Sequence, residues 1–87
     1  MTVLDKRKTE LIGEIIKKAY KVNALTRNNV FVSFHGHVSQ LEVSIYYDGW
    51  SRFRDAEYCM STYLTDSNAL SKMKYALNKL DRLLKES

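Results

Sequence analysis

His35-Gly36-His37 places the chain's two histidines two residues apart. On a strand that spacing sends both imidazoles to one side, where they can supply two ligands to zinc or another transition metal. A third ligand is then required, and Cys59 or Glu42 qualifies only if the fold carries it there. Neither a CxxC nor an HExxH spacing accompanies the pair, so the plainer reading is two hydrogen-bonding imidazoles at a loop. Cys59 becomes a nucleophile when held beside a histidine that lowers its pKa. In a mixed apolar stretch it reads instead as a small core residue. The carboxylates are scattered, with no pair spaced for general acid–base work. A GxSxG elbow, a phosphate-cradling glycine loop and a dinucleotide fingerprint are all missing from the sequence. These patterns argue against an enzyme and imply neither a metal nor a cofactor.

Aromatic rings beside arginines form the second candidate. Phe31, Tyr46, Trp50, Arg52 and Arg54, with Ser33 and Ser44 among them, fall on one face of the sheet read below, and Tyr63 or Tyr58 joins from a third strand. Such groups stack on bases and also dominate protein–protein hot spots. Charge separates the two uses. Residues 1–27 carry seven Lys/Arg against three acids, and residues 67–87 carry five against two. Residues 28–49 hold two acids and no Lys or Arg, and residues 50–66 hold two cations and three acids. A phosphate backbone would therefore have to be held by the helical ends, through Lys17, Lys18, Lys21, Lys72, Lys74 and Lys79. The plainer reading of those lysines is a solvated helix face. We expect a protein partner at the aromatic face, a second copy in a homodimer included, with nucleic acid on the lysines as the alternative.

The elements that must position these groups follow from periodicity. Leu4, Leu11, Ile15 and Val22 form a helical stripe, widened by Ile12, Ile16, Ala19 and Tyr20. Its helix begins near Thr2, with Asp5 completing a short capping box, or nearer Thr9, and ends around Asn23–Thr26 before the turn cluster Arg27-Asn28-Asn29. Gly13 interrupts it at about 1 kcal/mol relative to Ala and leaves room for close approach. Val30, Val32 and Phe34 share one parity before a Gly-containing tip within 35–40, and Leu41, Val43 and Ile45 share one after it. The two triplets meet on one side of a hairpin. Tyr47-Asp48-Gly49 reads as a type I turn with a G1 bulge. That register sets Tyr46 opposite Trp50, Ser44 opposite Arg52, Val43 opposite Phe53 and Glu42 opposite Arg54. It buries Phe53 and keeps both arginines out of the core. Residues 56–64 continue as a strand, kinked near Asp55, and 65–68 break the chain before the last helix. Leu70, Met73, Leu77, Leu80 and Leu84 form that helix's stripe, with Asp66 or Ser67 as its N-cap.

The fold expected is α+β: a three-stranded antiparallel sheet with two helices on one face, in the order α-β-β-β-α, as one domain over 1–87. No window suits a membrane span, no N-terminal apolar run suggests a secretory signal, and a single cysteine suits a reducing cytoplasm. The element order is shared with the double-stranded RNA-binding domain, and Ser71-Lys72-Met73-Lys74 resembles the basic start of that family's last helix. The family's Gly-Pro-x-His loop is missing, since the chain has no proline, and Lys74 is followed by Tyr75-Ala76 where the family has the rest of its Lys-Lys-x-Ala-Lys run. No residue is carried over and no family is claimed. In size, compactness and lack of catalytic motifs the chain is similar to accessory proteins of bacteria and their phages, inhibitors of host defence among them. We expect a small non-enzymatic regulatory protein that acts by binding another protein.

Overall fold

A computed structural model describes residues 5–86. Helix α1 (Lys6–Leu25) starts where the Asp5 carboxylate accepts the amides of Arg7 and Lys8, at 2.9 and 3.3 Å. Asp5 is thus the N-cap itself rather than the far half of a capping box. The start near Thr2 and the stripe position Leu4 lie outside the described residues. Thr26 closes the helix by donating its amide to the Val22 carbonyl, within the expected window. Ile15, Ala19 and Val22 are the buried line of α1. Ile16 and Tyr20, which the spacing adds to the stripe, are exposed. Helix α2 (Ala69–Glu86) buries Ala69, Met73, Ala76 and Leu80. It begins later than an N-cap at Asp66 or Ser67 would place it, and Asp66 contributes its backbone carbonyl to the Ala69 amide.

Strands β1 (Asn29–His35), β2 (Gln40–Tyr46) and β3 (Tyr58–Tyr63) form one antiparallel sheet in the order β1-β2-β3. Val30 faces Ile45, Val32 faces Val43 and Phe34 faces Leu41. The matching parities on either side of the tip therefore set the register of this hairpin. Residues 36–39 make the turn, with Ser39 in the left-handed region (φ 50°). Leu41, Val43 and Ile45 of the central strand are fully buried, as are Ile15, Val22, Met73 and Leu80 above them. Each such side chain contributes roughly 1.5–3 kcal/mol of burial. The molecule is 18 Å across its thinnest direction, the depth of one sheet under one helical layer.

The expected second hairpin does not form. Val43 pairs with Met60 rather than Phe53, Ser44 with Cys59 rather than Arg52, and Glu42 with Ser61 rather than Arg54. Residues 47–57 leave the sheet as a loop. Asp48 and Gly49 do turn the chain (φ 62° and 108°), but side chains from the α1–β1 turn then capture it. Asn28 Oδ1 accepts the Asp48 amide at 3.1 Å, and Asn29 Oδ1 accepts the Trp50 amide at 2.7 Å. The loop base closes on itself. Glu57 accepts the Tyr47 amide at 2.9 Å, Arg54 donates to the Tyr47 and Gly49 carbonyls, and Arg54 pairs with Glu57. The amides of Tyr47, Asp48, Trp50, Phe53, Arg54 and Glu57 all find acceptors in this arrangement, so much of the loop backbone is satisfied without a strand. Phe53, expected in the core, ends 83% exposed at the loop tip.

Two contacts define the course of α1 over the sheet. Near its C-terminus Asn23 bonds both backbone groups of Val30 on β1, at 2.9 and 3.0 Å. Near its N-terminus Lys8 reaches the Leu64 carbonyl beyond the end of β3. The helix therefore crosses the sheet obliquely, covering the start of β1 and leaving its end. Val30 is buried and Phe34, of the same parity, is 54% exposed.

Candidate functional site

Both helices lie on one face of the sheet, so the other face is open. Strand alternation puts Phe31, Ser33 and His35 of β1 on it, Gln40, Glu42, Ser44 and Tyr46 of β2, and Cys59, Ser61 and Tyr63 of β3. Tyr58 has the opposite parity and stacks against Tyr75 of α2 at 6.1 Å. Burial raises its phenol above the ordinary value, with Tyr75 adding to the effect.

One corner of the open face is aromatic. Phe31 meets Tyr46 edge-on at 5.4 Å and Trp50 at 6.5 Å. Three of the five residues chosen from the sequence are thus brought together, though Trp50 arrives from the loop and not from a strand opposite Tyr46. Its backbone is held by Asn29, while its ring stays 53% exposed. The two arginines do not join this corner. Arg52 lies over the Phe53 ring, 4.9 Å from its centroid. Arg54 is occupied in bracing its own loop. The contacts within the corner are thus ring on ring, while Arg52 packs on Phe53 and Arg54 on the loop backbone. Nothing in the sequence marks Asn28 and Asn29 as the residues that place Trp50; they read only as turn formers.

The polar end of the same face carries the other candidates. His35 stands 3.5 Å from Glu42, and His37 is in the turn rather than on the strand, so the two imidazoles do not share a strand face. Cys59 lies 3.6 Å from the Ser44 hydroxyl and is exposed, which corrects its reading as a core residue. Among the described residues no three His, Cys, Asp or Glu side chains group as metal ligands.

The six lysines scatter. Lys17 pairs with Glu14 and Lys18 with Asp81, the latter joining the two helices. Lys72 donates to the Ser61 carbonyl at 3.4 Å, and Lys79 sits over the Tyr58 and Tyr75 rings at 5.0 and 5.5 Å. Lys21 and Lys74 are exposed on different helices. Lys72 thus reaches the β3 edge, and Lys17, Lys18 and Lys79 are each engaged by a side chain of the chain itself. An open cleft of about 720 Å³ lies where both helices end, with Arg27, Tyr47, Asp48, Lys79, Arg82 and Glu86 in its walls. Cations and acids alternate there and two helix C-termini approach it, which gives an anion little preference. Among the described residues no helix is long and apolar enough to cross a membrane. Comparison of the chain with protein-family models, curated proteins and solved structures returns no match.

Proposed function

We propose that this chain is a small non-enzymatic interaction protein of the cytoplasm, and that it docks another protein through the aromatic corner of its open sheet face. The observation that supports the reading is the ring cluster Phe31–Tyr46–Trp50, of which Phe31 and Trp50 stay exposed and Tyr46 half-buried although they pack against one another. Rings held edge to edge lose little side-chain freedom when a partner covers them, which is what makes such clusters hot spots. The absence of Lys and Arg from residues 28–49 favours protein over nucleic acid at this face. Arg52 with Phe53 extends the contact at its rim, and Arg54 serves only to hold the loop. The test is co-purification from the native host with parent and Phe31→Ala/Trp50→Ala bait. We expect a specific protein retained by the parent and lost, by at least about tenfold, from the variant, since two hot-spot truncations remove about 2 kcal/mol or more. Equal retention by both baits, with both folded by circular dichroism, defeats the reading.

A further inference from the structure

The two edges of the sheet are treated differently. On β3 the outward carbonyl of Ser61 accepts from Lys72, and that of Tyr63 accepts from the Asp66 amide. Cations and loops over an edge strand are a standard defence against edge-to-edge pairing. On β1 the defence is local. Asn23 takes both the amide and the carbonyl of Val30, which shows that Val30 turns its backbone away from β2. Alternation turns Val32 and Phe34 the same way. Nothing among the described residues bonds their outward groups. The strand runs seven residues with no Lys, Arg, Asp, Glu or Pro.

We infer that β1 pairs antiparallel with β1 of a second copy of this chain, about a two-fold axis through Ser33. The axis is placed by Asn23. With Val30 capped, only Val32 and Phe34 have groups to share, and a two-fold that opposes Val32 to the partner's Phe34 lets each pair exchange two hydrogen bonds. Ser33 then faces its own copy as a non-hydrogen-bonded pair. The oblique course of α1 makes the same arrangement complementary in shape. Antiparallel pairing sets the uncovered end of β1, with Phe34, beside the partner's covered end, where α1 overhangs. Tyr20, 74% exposed and on the flank of α1 that carries Ile16, comes down over the partner's Phe34. That flank also carries Gly13, where a methyl group would meet nothing within 4 Å beyond its own stretch of helix backbone. Lys21 lies round the helix from Tyr20, and Lys17, which borders Gly13 and Tyr20, is paired with Glu14, so the contact sets no unpaired like charges of α1 face to face. Tyr20 and Phe34, at 74% and 54% exposed, offer roughly 250 Å² per copy at ~200 Å² a ring, so the four rings supply about 500 Å² towards the ~1,200 Å² of a stable interface. Ile16 and Val38, 53% and 43% exposed, and the strand backbones add to that area.

The experiment is a cross-link that reads the register, with sedimentation to read the assembly. In a Cys59→Ser background, Ser33→Cys is expected to form a disulfide-linked dimer on mild oxidation, because a non-hydrogen-bonded antiparallel pair brings its Cα atoms to about 4.5 Å. Phe31→Cys and His35→Cys, each displaced from its own copy by about 13 Å along the strands, are expected to stay unlinked. Sedimentation of the parent should show a dimer. Phe34→Lys and the surface change Tyr20→Lys should each weaken it by about 100-fold or more, since each buries an unpaired cation. Trp50→Ala should leave it intact, which separates this surface from the aromatic corner. A parent that stays monomeric, a dimer that survives Phe34→Lys and Tyr20→Lys, or a Ser33→Cys chain that links no better than its neighbours overturns the inference. Pairing of β1 with a foreign strand instead would appear as the monomeric outcome.

Discussion

Replacing Asn23 by Ala should loosen the joint between α1 and β1, and the size of the loss follows from the bonds that go. The amide nitrogen donates to the carbonyls of Ala19 and Val30, each at 2.9 Å, and the oxygen accepts from the Val30 amide and from Asn29, each at 3.0 Å. The Ala19 carbonyl keeps its helical partner, so three bonds count. At about 0.5–1 kcal/mol each for partly exposed groups, less roughly half a kcal/mol for alanine's better helix propensity, the cost is about 1–2.5 kcal/mol. A chain of 87 residues has a total stability of about 4–13 kcal/mol, so the fraction is large. With a urea m-value of about 1 kcal/mol/M the midpoint should fall by about 1–2.5 M. The measurement belongs in the Phe34→Lys background at one chain concentration, where dimer mass action does not enter. Asn23→Leu should fall as far, because it restores volume and not the bonds. Amide exchange adds a local readout: the Val30 amide should be protected in that background and lose protection in Asn23→Ala, while the Val32 and Phe34 amides exchange freely in both. Midpoints for Ala and Leu within about 0.3 M of the parent, or a Val30 amide that stays protected, would refute the assignment of Asn23 as the cap of this edge.

Arg54→Ala should open the 47–57 loop and little else, because its partners are the Tyr47 and Gly49 carbonyls and Glu57 within that loop. Trypsin cleavage after Arg52 is expected to quicken severalfold while the urea midpoint moves by less than about 1 M; unchanged cleavage contradicts the bracing role. Alkaline pH should destabilise the fold by two routes of one sign. The hydrogen bond to Asp81 holds the Lys18 ammonium above its ordinary pKa of 10.5, against an opposing desolvation. Its stabilisation is complete below 10.5 and fades as pH rises through the raised value. Burial holds the Tyr58 phenol above its ordinary 10.0, so the folded chain keeps that proton after the unfolded chain has lost it, and stability again falls above 10. Urea midpoints between pH 9 and 11.5 should decline less steeply in Asp81→Asn and in Tyr58→Phe than in the parent; parallel slopes in all three would dismiss both assignments.

Which parts of this molecule can be read from its residues depends on whether the information is local. The two helical stripes and the matched parities of the first hairpin are patterns within single elements, and their centres reappear buried: Ile15, Ala19 and Val22 of α1, Met73 and Leu80 of α2, and Leu41, Val43 and Ile45 of β2. The second turn rests on local grounds as well: Asp48-Gly49 chemistry, and the cost of turning Arg52 and Arg54 inward. Those grounds remain sound for a strand, but the competing partners are about 20 residues away in the chain. Asn28 and Asn29 offer acceptors to Asp48 and Trp50, and Glu57 with Arg54 seals the detour, so the arginines escape the core by leaving the sheet altogether. Neither parity nor turn preference reveals which strand will be the edge, and so the roles of Asn23 and Lys72 at the two edges are equally hidden.

The detour also joins the two proposed surfaces. Because Trp50 is tied to Asn29, the aromatic corner is built on β1 and not on β3, and β1 is the strand whose outer half lies bare. In a sheet continued through Ser33, Phe31 stands two residues from the axis in each copy, across from the partner's His35. The two Phe31 rings are then about 14 Å apart, from four residues of strand rise and one strand spacing. Two corners at that distance on one unbroken face form a single bivalent surface, so a partner that spans both gains avidity without any new contact type. Phe34→Lys, which touches no part of either corner, should on this geometry weaken capture of a two-site partner while leaving a one-site partner unaffected. If β1 pairs as inferred, the placement of one tryptophan by one asparagine is what couples self-association to recognition.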